Sequence, residues 1–545
     1  MKLVTVQEMQ TIEREADANG LSYAEMMENA GTNLAMVVQQ RYPYVAEHGA
    51  LGLIGKGNNG GDTLVALTWL AENGWKTAAY LTASRPDDDV LVTQLKQAGG
   101  TIFALDDDPE MAELDAQIHD CGLVLDGVLG TGVRLPLRGA AQAVLATTQA
   151  ILEEMDDAPY VVAVDCPSGI NCDTGETAPE TIAADTTVTM AAFKKGLFTF
   201  PAYDLVRDLV LVGIGPLDGL PAWENVPRSV VQFENVEDVL PHRPINAHKG
   251  TFGTALVVAG SANYTGAALL AGRAAFRVGT GLVTLGIPSM LYSAIAGLFP
   301  EATWLLLPHE MGVIQRKADQ IVRKHLERVT AILLGPGFGM EDTTGDFLSR
   351  LLKPETPGKS VGIGFVQGKQ SSTTADDALP SLPPMVVDAD GLKLLAKIPN
   401  WHEYLPAPAV LTPHPGEMAT LTGLSVAEIQ EDRVAVAERY AAEWGHVVVL
   451  KGAFTVIASP DGNTRLIALA SPALARAGTG DVLAGIITGL MAQGMNAFDA
   501  AWAGAWLHGQ AGLHAVANVG STAAVLAMDV VDGLLDVLEG FEEGE

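Results

Sequence analysis

Short apolar runs that stop at glycine- and acid-rich loops recur along this chain in two series, and no other feature limits its fold so strongly. In the first series Leu51-Gly52-Leu53-Ile54 runs into Gly55-Lys56-Gly57-Asn58-Asn59-Gly60-Gly61-Asp62, and helical spacing follows through Leu64, Leu67 and Leu70. Leu123-Val124-Leu125 leads into Asp126 through Gly132, and Tyr160-Val161-Val162-Ala163-Val164 into Asp165-Cys166-Pro167-Ser168-Gly169. Thr77–Leu81 reads as a further strand, and the segment before Gly49 reads as helical. Strand, polar loop and helix in repetition specify an open parallel sheet with helices on both faces. Ligands of such sheets lie beyond the carboxyl ends of the strands, so the three loops are expected to meet at one site. The first loop lacks the glycine spacing of a dinucleotide fingerprint, and no Gly-Lys-Ser/Thr closes it as a P-loop. Its asparagines and aspartate suit a hard cation or a polar ligand.

The second series begins at Thr254–Gly260, followed by the loop Ser261–Gly266 and a small-residue helix from Ala267 to Arg277. Leu282–Leu285, Ala331–Leu334, Met385–Val387, Ala409–Leu411, Val447–Leu450 and Phe454–Ile457 read as its other strands. Four of them end in chemically distinctive loops: Gly335-Pro336-Gly337-Phe338-Gly339, Asp388-Ala389-Asp390-Gly391, Thr412-Pro413-His414-Pro415-Gly416-Glu417 and Lys451-Gly452-Ala453-Phe454-Thr455. The prolines around His414 restrict its backbone, and Lys451 is placed to neutralise a phosphate.

The run Ala477-Gly478-Thr479-Gly480-Asp481 opens a helix whose apolar face is Val482, Leu483, Ile486, Ile487, Leu490 and Met491. Free N–H groups and the helix dipole favour an anion there. Asp481 beside that anion can take a proton from a substrate hydroxyl, or give one. The plainer alternative is a glycine helix start with Asp481 as a cap.

Prolines 216, 221, 227, 241 and 244 break the texture between the two series. With 545 residues the chain is too long for one core, and the domains are expected at 1–225 and 226–545. The polar, Ser/Thr-rich stretch 357–384 reads as a long surface excursion. A net charge of −32, from 33 basic and 65 acidic residues, argues against a nucleic-acid surface. No run approaches the roughly 18 apolar residues of a membrane helix, and the start lacks a signal-peptide pattern, so a cytoplasmic location is expected. Cys121, Cys166 and Cys172 form neither a disulfide framework nor a zinc pattern and read as structural thiols.

In order and number the motifs resemble those of the bifunctional NAD(P)H-hydrate repair enzymes across both domains. The N-terminal half resembles the NAD(P)HX epimerase on its three loops. The C-terminal half resembles the ADP/ATP-dependent NAD(P)HX dehydratase on the loops after Leu334, Leu411 and Leu450 and on Gly478 to Asp481. The resemblance implies an N-terminal Rossmann-like three-layer sandwich and a C-terminal ribokinase-like α/β domain. It implies that the first domain interconverts the R and S epimers of NADHX and NADPHX, and that the second dehydrates the S epimer with ADP or ATP. Asn58, Asn59, Gly60, Gly61, Asp62, Gly130, Thr131, Gly132, Val133, Arg134, Leu135, Pro136 and Asp165 would contact the hydrate, with Asp165 moving protons. Asn59, Asp126 and Ser168 would hold K+. In the dehydratase, Ala267, Gly337, His414 and Asp481 would face the hydrate, and Asp481 would be the base. Lys451, Gly452, Ala453, Phe454, Thr455, Gly478, Thr479 and Gly480 would hold the adenine nucleotide, with Mg2+. A homo-oligomer is implied as well, with neither nucleic acid nor membrane as partner. A ribokinase-like kinase of a small molecule and a non-catalytic nucleotide sensor are the alternative readings. Thr63, Ala470-Ser471 and Ala477 depart from the family pattern, and the side chains of Thr63 and Ala477 are expected to crowd their turns.

Overall fold

The computed structural model describes residues 1–86, 88–353 and 381–542. Most of the polar stretch expected as a surface excursion, 357–380, lies outside the described residues. The chain divides into two compact units, Met1–Ser229 and Val230–Glu545.

The first unit is built on seven parallel strands. Their order across the sheet is Thr101–Ala104, Thr77–Leu81, Ala50–Ile54, Leu123–Gly127, Tyr160–Val164, Thr186–Met190 and Asp208–Val212. Alternation of side chains splits them between two cores. Ala50, Ile54, Leu125 and Val162 face one core, which also holds Leu34 and Ala35 of helix Tyr23–Arg41 and Leu67 of helix Asn58–Glu72. Leu51, Leu53, Val124 and Val161 face the other, with Ile118 and Val144 of helices Ala112–Asp120 and Gly139–Glu154. The chain winds outward one way from Ala50–Ile54, then returns to start the other way at Leu123–Gly127. The switch point therefore lies between these two strands, where a crevice opens at their carboxyl ends.

The helix after Ala50–Ile54 begins at Asn58, so Asn58–Asp62 are its first turns and not a loop. Two glycines and two asparagines disfavour a helix locally, but packing overrides them. A Cβ on Gly60 would lie 2.2 Å from the Gly55 carbonyl oxygen, and one on Gly61 would lie 2.5 Å from Met27 Sδ.

The second unit repeats the logic. Seven parallel strands run in the order Val447–Leu450, Val410–Leu411, Met385–Val387, Ala331–Leu334, Thr254–Val258, Leu282–Pro288 and Thr303–Leu307. Val456–Ala458 and Thr464–Leu466 extend the sheet antiparallel beyond Val447–Leu450. Here the switch point lies between Thr254–Val258 and Ala331–Leu334. Helices Gly266–Arg277, Thr479–Ala492, Ala497–Val519 and Ala527–Glu542 share one core with this sheet.

Glycine sets the distance between the first two of these helices. A Cβ on Gly485 would sit 2.2 Å from the Ala271 carbonyl oxygen, and one on Gly489 would sit 2.7 Å from that of Ala275. Overpacking of this kind costs about 1–3 kcal/mol. Gly485→Val is expected to destabilise the unit by about that much, read as a lower denaturant midpoint with an unchanged slope. No described helix is long and apolar enough to cross a membrane. The three cysteines are free thiols, with Cys166 and Cys172 buried.

Candidate active sites

In the first unit two cavities meet at the switch point. One, of about 570 Å3, is walled by Gly55–Asn59 and Val128–Val133. The other, of about 220 Å3, is walled by Glu13, Asp62, Asp165, Met190 and Lys194 among others. Asn58, Asn59 and Thr131 line both. The start of helix Asn58–Glu72 thus faces the larger space with its free N–H groups, next to Lys56.

Between the loops lies a tight oxygen cluster. Ser168 donates from its backbone N and from Oγ to the two oxygens of Asp126, at 2.7 and 2.6 Å. Leu129 N donates to Ser168 Oγ at 2.8 Å. Asn59 donates to the carbonyls of Leu129 and Val164, at 3.1 and 2.6 Å. The structure therefore brings Asn59, Asp126 and Ser168 together from three strand ends. Asp126 has no exposure, and burial pushes its carboxyl up despite the bonds from Ser168.

The smaller cavity holds three carboxyls, those of Glu13, Asp62 and Asp165, in unlike settings. Asp165, in the left-handed region at φ 65°, accepts from Met190 N at 2.9 Å and Thr189 Oγ1 at 3.1 Å. It is also paired with Lys194. The Lys194 ammonium, 1% exposed, further donates to Thr189 Oγ1 and the Met190 carbonyl. Asp62 accepts no such bonds among the described residues. Burial pushes it well above the usual carboxylate range, the like charges of Asp165 and Glu13 add to this, and Lys194 works the other way. Burial also raises Glu13, with Lys194 opposing. Sequence reasoning missed Lys194 and Glu13.

The other expected contacts divide. Gly130, Thr131, Gly132 and Val133 form cavity wall, whereas Arg134, Leu135 and Pro136 do not line it, Leu135 packing against the core instead. Gly60 and Gly61 are buried packing positions. Thr63 does not crowd the ligand loop, contrary to expectation. It is fully buried, its hydroxyl bonds the Asn59 carbonyl at 2.7 Å, and it turns towards Gly127, where a Cβ would lie 1.9 Å from that hydroxyl.

In the second unit the loops after Thr254–Val258 and Ala331–Leu334 join through Gly260 N and the Pro336 carbonyl at 2.8 Å. Gly337 sits against Ala267, whose Cβ is 2.9 Å from where a Gly337 Cβ would be. Across the neighbouring strand ends lies a charged cluster. Lys451 Nζ is 2.6 Å from Asp388 Oδ1 and 3.6 Å from Glu417 Oε2. Thr412 Oγ1 donates to the same Asp388 oxygen at 2.7 Å. The other oxygen, Asp388 Oδ2, is buried without a hydrogen-bond partner among the described residues. Burial works against the charge of Lys451, but Asp388 and Glu417 outweigh it and hold the ammonium above its usual value.

Asp481 stands in the first turn of helix Thr479–Ala492, behind Gly478 at φ 93°. A Cβ on Gly480 would lie 3.5 Å from Lys451 Nζ, which places the lysine beside this turn. Burial, then the charges of Asp388, Asp390 and Glu417, push Asp481 up to about 7 against the pull of Lys451. Ala477 is exposed and the positive φ falls on Gly478, so its methyl does not crowd the turn.

His414 caps helix Pro415–Thr422. Its Nδ1 accepts from Gly416 N and Glu417 N at 3.0 and 3.3 Å, and Nε2 lies 3.3 Å from Glu417 Oε1. Burial lowers its pKa, Glu417 opposes, and Lys451 adds to the lowering. Phe454 is buried, and the Thr479 hydroxyl donates inward to Leu474 and Arg476 carbonyls. Only the backbone of these two is left for a ligand. Asp388 and Glu417 stand in loops that the sequence marks as distinctive, and the structure adds both to the site through Lys451.

Comparison with known proteins decides the family. The bifunctional NAD(P)H-hydrate repair enzyme Nnr of Moorella thermoacetica is 36% identical over 551 residues, covering 100% of this chain and 98% of that protein. This chain belongs to the bifunctional NAD(P)H-hydrate repair enzyme family. Nnr of Salinibacter ruber is 35% identical over 96% of this chain and 94% of its own length. Nnr of Escherichia coli is 33% identical over 96% and 91%. A family model described as NAD(P)H-hydrate dehydratase matches residues 255–534, and one described as YjeF-related protein N-terminus matches residues 23–196. Among solved structures, the ADP/ATP-dependent NAD(P)H-hydrate dehydratase of Bacillus subtilis, co-crystallised with ATP and Mg2+, is 32% identical. It covers 58% of this chain and 99% of its own, at a TM-score of 0.45. The two units of this repair-enzyme chain thus correspond to the two matched models in order.

Proposed function

We propose that the first unit epimerises NADHX and NADPHX and that the second dehydrates the S epimer at the expense of ADP or ATP. The observation that carries this most is the placement of Asp481 in the first turn of a glycine-opened helix, beside the half-buried Lys451 ammonium.

In the first unit the larger cavity takes the dinucleotide, its phosphates on the start of helix Asn58–Glu72 and near Lys56. The hydrated ring enters the smaller cavity. Inverting its carbinol carbon, by opening the ring or by losing and regaining the hydroxyl, moves a proton onto one atom and off another. One group must give and another take. Asp62, whose hold on its proton is strengthened by burial and by the charges of Asp165 and Glu13, gives. Asp165, held by Lys194 and Met190 N, takes.

The Asn59, Asp126 and Ser168 cluster fits K+. It gathers the carboxylate of fully buried Asp126, the Ser168 hydroxyl and the Leu129 and Val164 carbonyls, and among the described residues no ammonium or guanidinium partners Asp126. A cation bound there would supply positive charge to the joint between the three loops. Asp126→Asn is expected to remove any K+ dependence of epimerisation, measured against Li+ as control salt, and to leave dehydration unchanged.

In the second unit Asp481 takes the proton of the substrate hydroxyl. The oxygen attacks the terminal phosphorus of the nucleotide, and the bond to the bridging oxygen breaks. Phosphate then leaves the ring carbon with the bonding pair, and the adjacent carbon gives up a proton to restore the ring double bond. The helix start at Gly478–Gly480 and Lys451 stabilise the charge on the transferring group. Asp388 Oδ2 is a buried oxygen without a hydrogen-bond partner among the described residues, a fit for Mg2+ carried by the nucleotide, which would neutralise phosphate charge.

The test uses separated epimers. Pure R hydrate without nucleotide is expected to yield S hydrate, and pure S hydrate with ADP or ATP to yield NADH. A stable phosphorylated product from a vitamin precursor or sugar, with no return of NADH, would favour a small-molecule kinase instead.

A further inference from the structure

Beneath the Lys451–Thr455 loop lies a cation that the mechanism has not used. Arg433, the first residue of helix Arg433–Trp444, donates from Nη1 to the Ala453 carbonyl at 3.0 Å and from Nη2 to the Leu450 carbonyl at 2.8 Å. It makes no ion pair among the described residues, and its Nε is buried without a hydrogen-bond partner. Burial pulls it down to about 10. Burying a cation without a counter-charge is costly, so the fork of donors must serve the loop above it.

Its two acceptors belong to peptide planes that are already fixed at their other ends. The N–H of Lys451 donates to the Pro413 carbonyl at 2.9 Å, and that of Phe454 to the Leu469 carbonyl at 3.1 Å. Arg433 secures the carbonyl ends of the same two planes. The segment between them is pinned on both sides. Gly452 holds φ 147°, and a Cβ there would lie 2.5 Å from Arg433 Nη1. Gly452 and Ala453 remain exposed above the guanidinium.

We propose that Arg433 is a positioning residue for the adenine nucleotide, its fork setting the Lys451–Thr455 loop so that Gly452 and Ala453 face the phosphates. This rests on reading the second unit as a nucleotide-dependent dehydratase. A lysine cannot replace it, because a single ammonium does not present two donors in a fixed plane.

The test is steady-state dehydration of S hydrate by the full chain and by Arg433→Lys and Arg433→Met. Nucleotide is varied at saturating hydrate, then hydrate at saturating nucleotide. Both variants are expected to raise the KM for nucleotide by about tenfold or more, the scale of a lost charge-assisted hydrogen bond. The KM for hydrate and the epimerisation of R hydrate should be unchanged. A merely structural role would lower kcat, through the folded fraction, and leave both KM values alone, and that result overturns the proposal. So does a wild-type KM in Arg433→Lys. Should Arg433→Met fail to fold, Arg433→Lys keeps the charge and the stem and decides alone. Wild-type turnover that is independent of nucleotide would instead overturn the reading on which the proposal rests.

Discussion

Asp481→Asn is expected to lower dehydration of the S hydrate by about 100- to 10,000-fold, the usual contribution of a positioned general base. Asparagine keeps the shape of the first helical turn but cannot accept the hydroxyl proton. Epimerisation of R hydrate by the same variant should be unchanged, because the first unit carries its own carboxyls. The wild-type pH profile carries the same assignment. Asp481 is pushed up to about 7, by burial first, and a base works only when ionised. The kcat/KM for S hydrate should therefore be flat above about pH 7 and fall about tenfold per unit well below it. Lys451 lowers Asp481. Lys451→Met should move the acid limb to higher pH, besides weakening nucleotide binding. An acid limb that stays in place would remove Asp481 from the role of base.

Asp165→Asn is expected to lower epimerisation by a comparable factor, about 100-fold or more, with dehydration of S hydrate intact. Asparagine is the informative replacement. Asp165 holds φ 65°, a conformation that Asn tolerates and Ala does not. Asp62→Asn should give the same phenotype by removing the proton donor. Chiral separation of the hydrates after timed incubation measures both. Epimerisation within a few-fold of wild type in Asp165→Asn would show that its ion pair with Lys194 is structural only.

The sequence exposed the sheet and the loops at its strand ends, because apolar runs punctuated by glycine and aspartate are visible in one dimension. It hid what depends on buried polarity. Strand Thr186–Met190 reads as polar, yet every residue in it is buried. Its hydroxyls are satisfied inside the protein, Thr186 with the Tyr42 hydroxyl, Thr187 with the Val206 carbonyl and Thr189 with Asp165. Missing that strand meant missing Lys194, four residues beyond its end. The edge strand Thr303–Leu307 escaped for the opposite reason, since five residues with one apolar texture suit a helix equally. Asp388 and Glu417 meet Lys451 only because Met385–Val387, Val410–Leu411 and Val447–Leu450 are neighbours in the sheet. No spacing along the chain encodes that. Arg433 carried no signal at all, being one arginine at a helix start. A sequence cue did exist for Asn58–Asp62 as helix, in the apolar spacing from Leu64 onward, but two glycines argued against extending it back.

The most direct measurement mixes the purified chain with both epimers of NADHX, ADP or ATP, Mg2+ and K+, and follows the return of NADH absorbance. Recovery of the whole hydrate pool is expected, at a rate beyond spontaneous epimerisation, with Asp481→Asn recovering almost none and Asp165→Asn stopping at the S fraction. A wild-type protein that returns no NADH with either nucleotide would contradict the account.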